Sequence, residues 1–432
     1  MSAVGWIPVN GARTPGLPTG PGGAGPKAHA DVRVSNMSLL LRRLHDGPPR
    51  SRTELVRETG LSKATVSTLV AELCARGLVS EDAPDLSGGV GRPSTALRVS
   101  RRAVAGIGVE IGIDSLLLTV VDLSGQVTGQ ESHLIADPLR SFTSVTDQLA
   151  ALVAAQLERL HAQGTSVLEV VIAQTGALDY ATGTVRFSSS LGWHDVPLLE
   201  QVRQDLTHHL PSEVAMPGLT MENDAKLAAL AAYGPYASQG ILHLLCLSGG
   251  EGIGAGIIAD GHLLRGWYGS TGEVGHMPVE PGGQVCRCGR RGCWETLIGL
   301  DTITSVYPGD DPVHDESLSR AQRIVVLRQR FDDGDTRLIA RLAQVQQDLE
   351  RGLAILVDVL NPQVIVLSGW LTAFGDVLLA PTASALDSRR LDERPGVQLV
   401  SSALGPWAPS LGAALVALEP VLADPTVLGG KV

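Results

Sequence analysis

From Asn36 the apolar positions fall at helical spacing. Leu39, Leu40, Leu41 and Leu44 predict a first helix that ends near Gly47-Pro48-Pro49. Ser51 and Glu54 have capping-box spacing and open a second helix, which turns at Gly60. A third begins at Ser62, its expected N-cap, carries Val66, Leu69, Val70 and Leu73 as an apolar stripe, and ends at Gly77. A short strand at Leu78-Val79, the Gly-rich turn SGGVGRPST and a second strand at Leu97–Val99 follow. After Arg102 buried-strand patterns (AVAGIGVEIG, LLLTVVDLSG, VLEVVIAQTG, ILHLLCLSGG, GAGIIADG) alternate with helical ones near 145–160 and in LIARLAQVQQDLERGLAILVDVLNP, and VIVLSG comes late. This texture predicts an α/β body, long enough for two lobes with a cleft between them.

Three helices with a tight turn and a two-stranded wing make the winged helix-turn-helix plan, in which the start of the third helix enters the major groove. Ser62, Lys63, Thr65, Ser67 and Thr68 would present short polar groups to bases and phosphates; Arg52 and the wing's Arg92 are further candidate DNA contacts. An ordinary three-helix bundle with polar caps would share part of this pattern. Charge sharpens the reading. Residues 1–102 carry +6 and residues 103–432 carry −17, together the net −11 of the chain, so a small basic head sits on an acidic body.

The 432 residues imply more than one core, and 44% hydrophobic with 3% aromatic content requires that core to be mostly Ala, Val, Leu and Ile. No uninterrupted apolar run is expected to span a bilayer, and no secretory signal is expected at the N-terminus. Five cysteines do not make a disulfide framework, which points to a reducing, cytoplasmic setting. Residues 1–30, rich in Gly and Pro, read as a disordered tail; the head is expected over 31–100 and the body over 101–432.

Cys286, Cys288 and Cys293 lie within eight residues in VCRCGRRGCWE, ten residues after His276. Three soft thiolates and an imidazole, with Gly289 and Gly292 for tight turns, fit a tetrahedral Zn2+ site in the loop 276–293. Four protein ligands leave no open position, so the metal would be structural. Free clustered cysteines or a redox pair are the plainer alternatives. Cys74 and Cys246 fall in apolar patterns and read as core.

GEVGHMPVEPGGQVCRCGRRGCWE, together with ENDAKLAAL, GEGIGAGI and NPQVIVLSG, resembles the ROK family of repressors, open reading frames and sugar kinases, and the winged head with GRPSTALRV resembles its repressor branch. The resemblance implies a two-lobed actin-like (ribonuclease H-like) ATPase fold, a sugar in the cleft and assembly as a homodimer or homotetramer. Carried over by position, the sugar contacts would be Asn223, Asp224, Glu273, His276 and Glu295, with Ser190 where the family has Asn. Asn223 and Asp224 equally suit a helix N-cap, and Glu273 an exposed loop. Where the family's kinases turn through Asp-x-Gly-x-Thr, this chain has Glu110, Ile113 and Asp114, and Glu251 replaces the Thr of the second phosphate loop. Carboxylates aimed at phosphate repel it. No kinase activity is therefore expected, with Asp224 a vestigial base position. Gln174-Thr175-Gly176, Lys226 and Ala232 depart from the family pattern on the sugar side. Lys226 would favour an acidic or phosphorylated sugar if it faced the ligand, though an outward-facing helical lysine is the simpler expectation. The expected protein is a DNA-binding regulator that recognises a palindromic operator and answers to a small sugar. A sugar kinase, and a regulator that has lost its sugar, are the alternatives.

Overall fold

A computed structural model describes residues 29–81, 95–135, 141–250, 252–315, 318–391 and 395–428. Residues 1–28 of the expected tail 1–30, Arg92 and Glu251 lie outside the described residues, while His29 and Ala30 open α1. The head comprises α1 (His29–His45), α2 (Arg52–Thr59), α3 (Lys63–Ala75) and an antiparallel wing of β1 (Val79–Glu81) and β2 (Leu97–Val99). α1 begins at His29, seven residues before Asn36, because its opening turns mix Ala30, Val32 and Val34 with polar residues and set no clear apolar period. The capping box at Ser51 is formed in both directions, Gly60 closes α2 in the left-handed region, and Ser62 caps α3 by accepting from the Thr65 amide.

The first lobe runs through β3 (Ala105–Ile111), β4 (Ser115–Asp122), β5 (Val127–Leu134), α4 (Phe142–Ala162), β6 (Glu169–Gln174), β7 (Ala177–Asp179), β8 (Thr184–Ser188), β9 (Trp193–Val196), α5 (Leu198–His209) and β10 (Gly218–Asn223). Its sheet has the order β10-β6-β3-β4-β5, with β10, β6 and β3 parallel and the β4 and β5 pairings antiparallel; β7, β8 and β9 form a small sheet of their own. The second lobe contains α6 (Asp224–Ala237), β11 (Leu244–Gly249), β12 (Ile253–Ala259), β13 (His262–Leu263), α7 (Glu295–Ile298), α8 (Leu300–Thr304), α9 (Arg320–Asp332), α10 (Thr336–Leu360), β14 (Val364–Gly369), α11 (Gly375–Ser388) and β15 (Gln398–Ser401). Its sheet, β13-β12-β11-β14-β15, again joins three parallel strands to an antiparallel edge. The chain closes with α12 (Ala408–Val416) and α13 (Glu419–Ala423).

α6 and α12 lie together between the two sheets, α12 against β3, β4 and β6 and α6 against β11 and β12. Their backbones touch: a Cβ on Gly412 would sit 2.0 Å from the Leu227 carbonyl oxygen. The segment Gly405–Ala423 is, by length and composition, long and apolar enough to cross a membrane, against the sequence expectation. In the fold, 61% of that window is buried, and Ala408, Leu411, Ala413, Ala414 and Leu415 spend their apolarity on the body's core.

The head is not merely tethered. Met37, Leu40, Leu41 and Leu44 of α1 share one core with Val121 and Leu123 of the first lobe and Leu411, Ala414, Leu415, Leu418 and Val421 of the closing helices. Polar contacts frame it. Ser38 Oγ donates to the Leu422 carbonyl at 2.6 Å, Arg42 pairs with Glu419, Arg76 Nη1 donates to the Leu428 carbonyl at 2.6 Å, and His45 Nδ1 lies 2.6 Å from the Leu123 oxygen.

Candidate functional site

The parallel strands β6 and β10 both end, at their carboxyl ends, on one side of the first sheet, and α6 starts there. Open α/β sheets hold ligands at such ends. A cleft opens at this point, about 650 Å³ when the solvent at its open mouth is included. One wall carries Thr175, Ser188 and Ser190, whose hydroxyls form a cluster at 3.1, 3.1 and 3.3 Å. Asn223 and Asp224 stand at the base, Ser248 and Gly250 at the end of β11, and Glu273, His276, Arg287 and Glu295 on the opposite side. All six residues assigned to the sugar from sequence therefore line one cleft.

Several are also held by the protein. Asn223 caps α6, its Oδ1 accepting from the Lys226 amide at 3.2 Å, so cap and cleft roles coincide: the oxygen serves the helix and the side-chain NH2 remains to donate. Glu295 Oε2 accepts from the Ile253 amide at 2.9 Å and so ties α7 to the first residue of β12.

Beneath the cleft lies a polar layer that sequence reasoning missed. Glu222 Oε1 accepts from the Tyr180 hydroxyl at 2.6 Å and from the Asn223 amide at 2.9 Å, and its Oε2 accepts from Arg265 Nε at 2.9 Å. Lys226, expected to face outward, is instead 1% exposed and donates to the Gly269 carbonyl. Burial lowers its pKa against the opposing pull of Glu222 and Glu273. Lys226 therefore pins the 265–273 loop, which carries Glu273, rather than facing ligand. Its spacing along the chain carries no signal of this, since Glu222 lies in β10 and α6 begins only at Asp224.

His276, Cys286, Cys288 and Cys293 converge, their ligand atoms all within 4.8 Å of one another. Cys286 Sγ is 3.7 Å from His276 Nδ1, and Cys288 and Cys293 Sγ are 3.7 Å apart. Ligands ~2.0–2.3 Å from a tetrahedral ion stand ~3.3–3.8 Å from each other, the range of both of these separations, so the four residues could hold one metal ion. At Gly292 a Cβ would lie 1.8 Å from the Glu280 carbonyl oxygen, and φ is +70°, so only glycine closes this knot. Cys293 leads into Trp294, which is fully buried, donates to the Asp348 carbonyl at 2.8 Å and packs its ring on Gly352 of α10. Cys246 is buried as expected, and Cys74 only partly so.

At the β3–β4 turn, Asp114 accepts from Ser115 Oγ at 2.9 Å and, across the lobes, from the Arg320 amide at 2.5 Å, the first residue of α9. In the head, Ser62, Lys63 and Thr68 are exposed, and Thr65 and Ser67 are half-buried. Arg52 pairs with Glu81 of β1 at 2.6 Å, bracing α2 against the wing.

A winged head fused to a two-lobed, actin-like body with a polar cleft is the architecture of a regulator built on a sugar-kinase fold. The chain belongs to the ROK family, whose profile matches residues 106–419; that of the MarR family matches residues 38–85. It is 28% identical over 392 residues to a xylose repressor of Bacillus spizizenii, covering 90% of this chain and 96% of the relative. A ROK family transcriptional regulator homologous to the E. coli MLC protein has a similar structure (TM-score 0.70, 22% identity, 91% of this chain and 98% of that one). So does a ROK family glucokinase from Streptomyces griseus crystallised with glucose and AMPPNP, over the body (TM-score 0.59, 26% identity, 72% of this chain and 98% of that one).

Proposed function

We propose that this protein is a cytoplasmic, sugar-responsive transcriptional repressor that binds double-stranded DNA through its winged head. The observation that carries the proposal is the unbroken packing from cleft to head. Asn223 and Asp224 begin α6, α6 lies backbone-to-backbone on α12, and α12 and α13 share their core with α1. A sugar that favours one lobe arrangement thereby biases the pose of the head. The bias can be no larger than the difference in its affinity for the two arrangements.

In this reading Asn223, Asp224, Glu273, His276, Glu295 and Ser190 contact the sugar: carboxylates accept from its hydroxyls and the Asn223 amide donates. Ser62, Lys63, Thr65, Ser67 and Thr68, with Arg52 and Arg92, face DNA. Two heads on a symmetric dimer would read half-sites of a palindrome ~34 Å apart. Zn2+ is the ion assigned to His276, Cys286, Cys288 and Cys293; when bound it supplies rigidity. His276, with Nδ1 toward the thiolates, keeps Nε2 for a ligand hydroxyl and so links knot to cleft. A gel-shift titration on the upstream DNA, with and without a sugar panel, tests the proposal. We expect a discrete complex that one sugar releases; no sequence-specific complex under any condition would refute it.

Asp224 on the cleft wall favours a second reading, a sugar kinase with Asp224 as base. Against it, Asp114 occupies the position of the phosphate-turn hydroxyl and is engaged with α9. Sugar-dependent ATP turnover that Asp224→Asn abolishes would establish the kinase instead.

A further inference from the structure

The cleft is built mostly of groups that suit a neutral polyol. Hydroxyls come from Thr175, Ser188, Ser190 and Ser248, and carboxylates from Asp224, Glu273 and Glu295. Among the described lining residues only one carries a permanent positive charge, and it is Arg287. Lys226, the sequence's candidate for an acidic sugar, is buried and committed to the Gly269 carbonyl. Among the described lining residues, a fixed side-chain cation for negative charge is supplied by the Arg287 guanidinium.

Arg287 is unusually well placed for that role. Its backbone stands between Cys286 and Cys288, and the turn is closed by Gly289 N donating to the Cys286 carbonyl at 2.9 Å and Cys286 N to the Arg290 carbonyl at 2.7 Å. The root of the side chain is thereby fixed by the knot. Its Nη2 meets the Asp301 carboxylate of α8, which orients the guanidinium plane, while both partners stay more than half exposed (54% and 77%). A guanidinium carries five donors in a planar fork, so this pairing leaves donors for a second oxyanion.

We propose that Arg287 is a specificity-determining residue that reads an anionic substituent, a carboxylate or a phosphate, on the sugar effector. The proposal rests on the sugar-regulator reading above and adds the chemical class of the ligand. The hydroxyl cluster and carboxylates hold the ring, and Arg287 at the rim holds the charged arm. Asp301 is the internal rival that the ligand's anion displaces or shares.

Calorimetric titration of the full chain, with its metal content measured, tests this. The probes are glucose, galactose and mannose, each beside its 6-phosphate and its uronic acid, which separate phosphate from carboxylate. We expect at least one anionic sugar to bind more tightly than its neutral parent, and more weakly as salt is raised. Arg287→Gln should weaken that sugar about ten- to hundredfold, the range for a charge-assisted contact, and leave the neutral parent's affinity unchanged. Asp301→Asn, which frees the guanidinium, should strengthen it severalfold. A residue that merely braced the knot would not give opposite signs in the two variants. Should only neutral sugars bind, or Arg287→Gln weaken neutral and anionic sugars alike, the charge assignment is overturned while the sugar reading stands. Binding of no sugar overturns both.

Discussion

Along the cleft, Glu273, His276 and Glu295 line one side and a cluster of hydroxyls the other; at the β3–β4 turn, Asp114 instead spends its carboxylate on the first amide of α9. The first region presents side chains to a space, and the second uses its side chain to join two lobes. One fold can thus hold an open polar lining and a turn that joins the lobes side by side, because the two are held by different elements. The knot, α7 and the 265–273 loop secure the cleft's lining, whereas the turn is carried by β3 and β4 and meets α9.

Metal removal breaks the comparison most severely. Binding energies of such sites are on the order of 10–16 kcal/mol, and a bound ion would deliver that energy to the loop that presents His276 and Arg287 and leads into Glu295. Chelation, or Cys293→Ser, should lower the melting temperature sharply and abolish any sugar-induced shift, with metal counted by elemental analysis. A protein that purifies without metal and melts unchanged would remove the knot from the account.

The wall itself is sharpened by splitting the two roles of Asn223. Asn223→Ala loses both cap and donor and should cost about 1 kcal/mol of stability together with the sugar shift. Asn223→Ser keeps a capping oxygen and should regain the stability but not the ligand. If sugar binding returned with the cap, Asn223 would be a cap and nothing more.

At the other end, Asp114→Ala deletes the cross-lobe bond and should cost about 1–2 kcal/mol in a chemical melt, as N-terminal helix anchors do, without creating ATP turnover. An unchanged melt would mean the turn contributes no interlobe stability.

Much of the head was legible because its determinants are local: Ser51, Glu54, Gly60 and Ser62 act within four residues of themselves. The candidate metal cluster was visible in the sequence for the same reason, three thiols within eight residues, and the fold brings them together with His276. The cleft residues came from family resemblance, since Ser190, Asn223 and Glu273 are far apart in the chain and their types fit loops and caps equally well. What stayed hidden depends on long-range packing. Nothing in the spacing of Lys226 distinguishes a buried pin from a solvated lysine, because α6 lies between two sheets and has almost no exposed face to set a period. The position of Arg287 on the cleft follows from the knot's fold. The shared core of α1 with α12 and α13 joins segments almost four hundred residues apart, beyond any local pattern.

That shared core also contains the most delicate contrast, two titratable groups whose pH responses oppose each other. His45 is 2% exposed, and burial lowers its pKa below 6.5, with the Leu123 oxygen and Asp122 pulling upward and Arg42 adding to the fall. A depressed folded-state value means its stabilising contribution is present above about 6.5 and lost as the pH drops through that value. Glu419 runs the other way: burial, with Asp46 and Glu169 nearby, outweighs Arg42 and raises its carboxyl from 4.5 to about 7. Its contribution is therefore present below 4.5 and lost as the pH climbs through about 7. The two partly offset, so the whole protein should vary little between pH 5 and 8 while single variants tilt the curve. His45→Gln should flatten the acid limb and Glu419→Gln the alkaline limb, each by on the order of 1 kcal/mol in urea melts across that range. Slopes are the quantity to compare, since both substitutions also disturb packing. If either variant moved the curve parallel to itself, its side chain would not be titrating at the head–body junction, and pH would have no lever on the pose of the head.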